Sequence, residues 1–295
     1  MNFLDKFQEM GLTQTQPNSF TYKDQYSGVR YERIKACDTG IEIPALSIWT
    51  SGPGEQAAFS FTGIVSMFYN FIGNEKANNI VRQSIGELKT PIFREYTSFN
   101  SPRYTTMHND ILIQNQNNIS EVGDVYPHVT IRNSYDGKSG IEIAFGLTVL
   151  QTNSNLRNSI SFRHIMSSFK QIHSQHAKTK LTSAVGGFVN VVSSNILDFV
   201  RQNFETQITE EALLSTLDMV EQIGERRRKN ISDVITEITK GKPFISAWDL
   251  FLAITRFSTV EKNLNAKILL EDIVEKTLVV PVQMMEMMKK INQGA

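Results

Sequence analysis

VYPHVTIRNSYDGKSGIEIAFGLTVL, residues 125–150, decides the fold class. From Tyr126 to Asn133 the residues alternate, with Val129 and Ile131 on one face and His128, Thr130 and Arg132 on the other. From Gly140 to Leu150 they alternate again, with Ile141, Ile143, Phe145, Leu147 and Val149 sharing a face. A period of two marks a half-buried strand. Between the runs lies Ser134 to Ser139, with Asp136-Gly137 as its turn signal. Glycine accepts a positive φ there, and an aspartate bonds its own backbone. The stretch therefore reads as a β-hairpin whose tip carries Tyr135 and Lys138, with Arg132 close by.

On the N-terminal side, Arg30–Ile34, Ile41–Ile43, Ile92–Tyr96 and Asp110–Gln114 have strand character, and Glu75–Leu88 has helical spacing. Met1–Met10 is a short amphipathic helix pattern, and Gly11–Gly28 reads as a loop or arm. Ala58–Ile72 is apolar nearly throughout and fits a buried helix or a buried strand pair, which periodicity does not separate. Thr50–Gln56 reads as a loop. Its Gly52-Pro53-Gly54 is a plain turn, because Pro53 removes a donor and no Gly-Lys-Ser/Thr follows. Beyond Ile160 the period becomes helical. Ser161–Gln175 puts Phe162, Ile165, Met166, Phe169 and Ile172 on one stripe. Further helices are expected over Leu181–Phe204, from Thr209 to Gly224, over Asn230–Lys240, from Ser246, over Asn263–Thr277 and over Pro281–Ile291. The expectation is an α+β fold, an antiparallel hairpin sheet in the first half followed by a helical C-terminal third. It divides into 1–56, a helix and strands packed on the core, 57–180, the α+β core with the hairpin, and 181–295, the helical region.

The composition is that of an ordinary globular chain, 40% hydrophobic and 20% charged over 295 residues. Thirty basic residues balance 30 acidic ones, so no global field pulls the chain toward nucleic acid or membrane. The single Cys37 excludes an internal disulfide framework and a cysteine zinc site. No apolar run suggests a membrane span and the N-terminus lacks a signal-peptide core, which implies a cytoplasmic protein. The charges are unevenly placed, however. No acid stands between Glu142 and Asp198, where about five or six would fall by chance. That interval holds Arg157, Arg163, Lys170, Lys178 and Lys180 with three histidines. A phosphate backbone would select such a stretch beside Arg132, Tyr135 and Lys138. Tyr96, Tyr104, Tyr126 and Tyr135 are candidate stacking surfaces. The competing reading pairs the basic stretch with the acidic C-terminal helices, within one chain or between copies.

Catalytic signals are faint. His173 and His176 have a spacing that lets two rings reach one metal, but no glutamate joins them as in metalloproteases. Asp136 is explained by its turn, and no nucleophile, base and acid can be assembled. Arg226-Arg227-Arg228-Lys229 follows a helix and suits its negative end, and it is the second candidate for phosphate contact. Met284, Met285, Met287 and Met288 suit a core or subunit contact. No metal or other cofactor is expected.

Gly123-Asp124-x-Tyr126-Pro127 followed by Asn133-Ser134-Tyr135-Asp136-Gly137 resembles the signature of a phage- and plasmid-borne family, domain of unknown function 932. Trp248-Asp249-Leu250-Phe251-Leu252-Ala253-Ile254-Thr255 is similar to that family's C-terminal pattern. The resemblance covers roughly residues 80–278, and only the Asn-Ser-Tyr-Asp-Gly element is specific. Family members often continue the second strand into an Arg/Cys-Thr-Asn-Gly segment. Here Leu150-Gln151-Thr152-Asn153-Ser154 stands instead, lacking the cysteine and the glycine. The order of hairpins then basic helix is similar to the core of single-strand annealing proteins of recombination, an analogy at the level of fold. The resemblance implies a mobile-element origin and no particular activity.

Together these readings favour a non-enzymatic protein of a phage or plasmid that binds single-stranded DNA during replication or recombination, as a homo-oligomer and without a membrane. Arg132, Lys138, Arg157, Arg163, Lys170, Lys178 and Lys180 would meet phosphates, and Tyr135 would stack on a base. The alternative is a structural or host-interaction protein of a phage whose basic face binds another protein.

Overall fold

The computed structural model describes residues 12–16, 19–35, 41–53, 57–66, 72–100, 104–114, 117–119, 122–135, 141–150, 157–162 and 175–294. Two antiparallel sheets, with one helix between them, come first, and the other described helices follow. The first sheet is a meander of β1 (Thr13–Gln16), β2 (Ser19–Lys23), β3 (Gly28–Lys35), β4 (Glu42–Ser51) and β5 (Ser60–Ser66). Thus Gly11–Gly28, read as an arm, contributes two strands. Within Ala58–Ile72, residues 60–66 form a strand. The sheet also runs past the boundary expected at residue 56. The strand alternation of Gly28–Lys35 puts Val29 and Tyr31 on the buried face with Phe20, Leu46, Ile48 and Val65, and turns Arg30 and Glu32 outward.

Helix α1 (Asn74–Glu87) leads to the second sheet, whose order is β11-β10-β9-β7-β6, with β8 (Asn117–Ile119) pairing at one end of β9. Its members are β6 (Ile92–Phe99), β7 (Thr106–Ile113), β9 (Gly123–Ser134), β10 (Glu142–Leu150) and β11 (Arg157–Ser161). β9 and β10 are the expected hairpin, in a register that sets Arg132 opposite Glu142 and Val129 opposite Phe145. Their apolar face, with Ile111 and Ile160, is covered by α1 and by the long helix α2 (Gln175–Glu205). The boundary expected after Lys180 therefore falls inside a helix. Helices α3 (Glu210–Glu221), α4 (Glu225–Thr239), α5 (Ala247–Val260), α6 (Leu264–Glu275) and α7 (Val282–Gly294) complete the C-terminal part. Thr209 caps α3, and Ser246 and Asp249 form a reciprocal capping box on α5. Met284 and Met288 are buried in the main core. Within α2, Leu181–Glu205 is long and apolar enough to cross a membrane, but Val185, Phe188, Val192 and Phe199 are buried in the main core of this fold.

The second sheet is curled. Neighbouring strands lie about 4.8 Å apart, so β11 and β6, four places apart, would be roughly 19 Å apart in a flat sheet. Yet the Arg157 guanidinium of β11 sits 4.0 Å from the ring centre of Tyr96 on β6. The hydroxyls of Ser161 on β11 and Thr130 on β9 approach to 3.0 Å. Gly146 on the intervening strand permits this, since a Cβ there would lie 2.1 Å from the Ile160 carbonyl oxygen and 2.4 Å from His128 Nε2. The enclosed face is the polar one.

Tyr135 joins the two sheets. It follows β9 but inserts into the core of the first sheet, 1% exposed. Its hydroxyl accepts the Asn74 backbone N–H at 2.9 Å, at the start of α1. The Asn133 side chain donates to the Ile72 carbonyl and to Asn74 Oδ1, and Asn74 Nδ2 donates to Ser27 Oγ. Helix α1 starts at Gly73, which has no side chain to cap it. Asp24 supplies a second cap, accepting the Glu75 N–H at 3.0 Å, and so places a carboxylate at the positive helix end. A Cβ on Gly73 would meet the Tyr22 ring at 2.3 Å. Burial, and the Asp24 carboxylate to which its hydroxyl donates, push the Tyr22 phenol above its ordinary value.

Replacing Tyr135 by Phe keeps the ring and removes the acceptor of a buried N–H. The loss should be about 1–3 kcal/mol. Urea unfolding should show a lowered midpoint with an unchanged slope, whereas an unchanged midpoint would contradict the capping role.

Candidate nucleic-acid interface

Of the residues expected to form a phosphate track, the described ones, Arg132, Tyr135 and Arg157, are each engaged within the fold. Tyr135 is no hairpin tip but a buried cap, so it offers no ring to a base. Arg157 is 9% exposed, and donates from Nη1 to Asp110 Oδ2 at 3.1 Å beneath Tyr96. It has been drawn into the core by a buried carboxylate. Arg132 is half-buried and ion-paired to Glu142, its cross-strand partner. Lys138, Arg163 and Lys170 lie outside the described residues, as do the side chains of Lys178 and Lys180, which fall within α2. His173 and Asp136 also lie outside them. The other tyrosines are engaged too: Tyr126 is buried and stacks on Phe93 at 4.5 Å, and Tyr104 packs on Phe99. The basic run 226–229 opens α4, following Gly224. Arg227 donates to the Ile223 carbonyl beyond α3 and to Glu261, while Arg228 pairs with Asp218 and Glu221.

Two other arrangements carry chemistry. The first is the polar interior of the curled sheet. Asp110 there accepts from Thr130 at 2.7 Å and from Arg157, with His108 Nε2 at 3.1 Å and Lys267 Nζ of α6 at 3.7 Å. Lys267 also lies 3.9 Å from Glu271. Burial alone would raise the Asp110 carboxyl. The positive field of His108 and Lys267 and the His108 hydrogen bond outweigh it and hold the carboxyl well below the usual range. His128 Nδ1 lies 2.9 Å from Thr148 Oγ1, and its Nε2 lies 3.4 Å from Ser161 Oγ. These residue types suit nucleophilic catalysis, but every one of them is buried, which closes the set to a substrate in this conformation. Oppositely charged partners there compensate one another, the condition under which buried ions persist. Among the described residues no group of three or more His, Cys, Asp or Glu could hold a metal ion.

The second is the outward face of the first sheet. Register sets Thr21 beside Arg30, Arg30 beside Trp49, and Trp49 beside Phe61, a single row across β2, β3, β4 and β5. The Arg30 guanidinium lies 5.1 Å from the ring centres of both Trp49 and Phe59. Lys23 Nζ lies 5.2 Å from that of Phe59. Trp49 and Phe61 meet edge to face at 5.4 Å. The Trp49 indole N–H donates to Ser47 Oγ at 3.2 Å, which orients the ring. Phe61 remains 53% exposed and Ile64 60%. Gly28 lies beneath the Phe59 ring, where a Cβ would come within 3.2 Å of it. Planar rings interleaved with cations on an open sheet can stack bases and meet phosphates. The strand Arg30–Ile34 is readable from the sequence. The row is not, because it depends on the register of β3, β4 and β5 and on a bulge between Ile48 and Trp49.

No family model matches the chain, and no curated protein or solved structure does.

Two results distinguish a structural Arg157 from a surface one. Arg157→Ala should lose about 3–5 kcal/mol, since it leaves Asp110 buried with one partner fewer. A change within about 0.5 kcal/mol, as at an open surface, would contradict the assignment. The pH dependence follows from the same ions. Asp110 has a depressed folded value, so its contribution is present above the unfolded value of about 3.9 and is lost as pH falls below it. Melting temperature should therefore fall on acidification below about pH 4, and less steeply in Asp110→Asn.

Proposed function

We propose that the chain binds single-stranded nucleic acid on the outward face of its first sheet. The observation that carries this reading is the Arg30–Trp49–Phe61 row with Lys23 and Phe59 beside it. Bases stack on Phe61 and on the Arg30–Trp49 shelf, while Arg30 and Lys23 meet the backbone. A duplex has its bases stacked on one another and cannot present them to the rings, so single strands are preferred. The acid-free interval supports the reading, since Arg163, Lys170, Lys178 and Lys180 would add phosphate contacts. The resemblance of Asn133–Gly137 to a phage- and plasmid-borne family supports a role in replication or recombination of a mobile element, in the bacterial cytoplasm and as a homo-oligomer.

A second reading has an observation of its own. Ile43 and Ile64 extend the same face as exposed apolar surface, and β5 is the last strand in the order of the described sheet. A protein surface, either a host protein or a second copy, would cover them.

Fluorescence anisotropy with a labelled oligothymidylate tests the choice. Phe61→Ala should weaken binding by about 1–3 kcal/mol, roughly five- to 150-fold, without changing the melting temperature much. Lys23 and Arg30 alone predict a slope of log affinity on log salt near −1.4, and participation of the four further cations predicts about −4. Wild-type and Phe61→Ala proteins of equal affinity, or a defined assembly indifferent to DNA, would favour the protein partner.

A further inference from the structure

Glu32 is out of place on a phosphate-binding face. It shares the outward side of β3 with Arg30, one step along the strand, in a row with Ser47 and Ile64. Two residues of strand make that step about 7 Å, the scale of a base lying across the rings. Its Oε1 lies 3.0 Å from Arg30 Nε, and its side chain is 32% exposed. Carboxylate oxygens offer about four acceptor sites, so one arginine contact leaves others for a ligand. The strand beneath it is held, because Ser47 Oγ, which receives the Trp49 indole N–H, itself donates to the Glu32 carbonyl. A negative charge here weakens attraction for any backbone, whatever the sequence. It becomes favourable only where a base offers N–H groups to it.

We propose that Glu32 reads the base stacked on this row and selects guanine. The inference rests on the reading of the first sheet as a single-strand platform. Guanine has two adjacent donors, N1–H and the N2 amino group, which match the two oxygens of a carboxylate. Thymine offers one N–H between two carbonyl oxygens that a carboxylate repels. Adenine and cytosine each set one amino group beside a ring nitrogen that accepts. A bidentate pair to a base edge discriminates by about tenfold or more. In this arrangement Phe61 and the Arg30–Trp49 shelf bind the base plane, Arg30 and Lys23 meet phosphate, and Glu32 tells one base from another.

The test uses the full chain and four labelled strands: plain oligothymidylate, and the same strand with a short central run of guanine, adenine or cytosine. The wild-type protein should bind the guanine strand about tenfold more tightly than the others. Glu32→Gln should abolish that preference and leave binding to plain oligothymidylate unchanged or tighter. Equal wild-type affinity for all four strands overturns the selection while leaving the platform. Equal loss on all four in Glu32→Gln also overturns it, since Glu32 then only holds Arg30 in position. Absence of binding to every strand at low salt overturns the platform itself.

Discussion

One hydroxyl joins the parts of this molecule. Tyr135 leaves the end of β9, enters the core of the first sheet and accepts the first N–H of α1. Helix starts leave N–H groups without intrahelical partners, and a buried start without a cap is costly. Gly73 cannot supply that cap, so Tyr135 and Asp24 do so from two different strand ends. The bonds from Asn133 and Asn74 to Ile72 and Ser27 fix the same point from the other side. The first sheet's inner face is thereby closed against Tyr135, and its outer face is left as the one that meets solvent.

The curled second sheet solves a different problem. Its apolar side is covered by α1 and α2 and needs no further partner. Its polar side folds upon itself and places Asp110 among Arg157, Lys267 and His108. Charges sealed this way specify a single arrangement more than they stabilise it, since desolvation offsets much of their attraction. Arg157 illustrates the consequence for charge counting. In the sequence it adds to a basic stretch, and in the fold it is neutralised by an acid 47 residues away.

The α+β order, the β9–β10 hairpin and the Thr209 and Ser246 caps were legible, because alternation, turn residues and capping oxygens act locally. β11 was not, since Arg157–Ser161 runs into the stretch where the pattern was expected to turn helical, and most of the helix expected over Ser161–Gln175 lies outside the described residues. Tyr135 and the platform were not legible either. Tyr135 stands beside a turn signal, and long-range contacts, its packing in the first sheet's core and the bond to Asn74, withdraw it from solvent. Arg30, Trp49 and Phe61 become neighbours through pairing across three strands, and nothing within any one strand announces it. Strands β1 and β2 were hidden by polar, threonine-rich composition interrupted by Pro17. The alternation they follow is carried by few apolar residues, chiefly Leu12 and Phe20.

The chain contains two tryptophans, and they occupy opposite environments. Trp248 is buried against Phe251 and Phe204 in the helical core, and Trp49 lies on the outward face of the first sheet. Emission from a Trp248→Phe protein therefore reports Trp49 alone. Titration with a single-stranded oligonucleotide at low salt is the most direct measurement of the proposed function. Saturable quenching, reversed by added salt and weak with duplex, is the predicted result. Unchanged Trp49 emission at a high concentration of single strand would contradict it and turn attention to a protein partner for the same face.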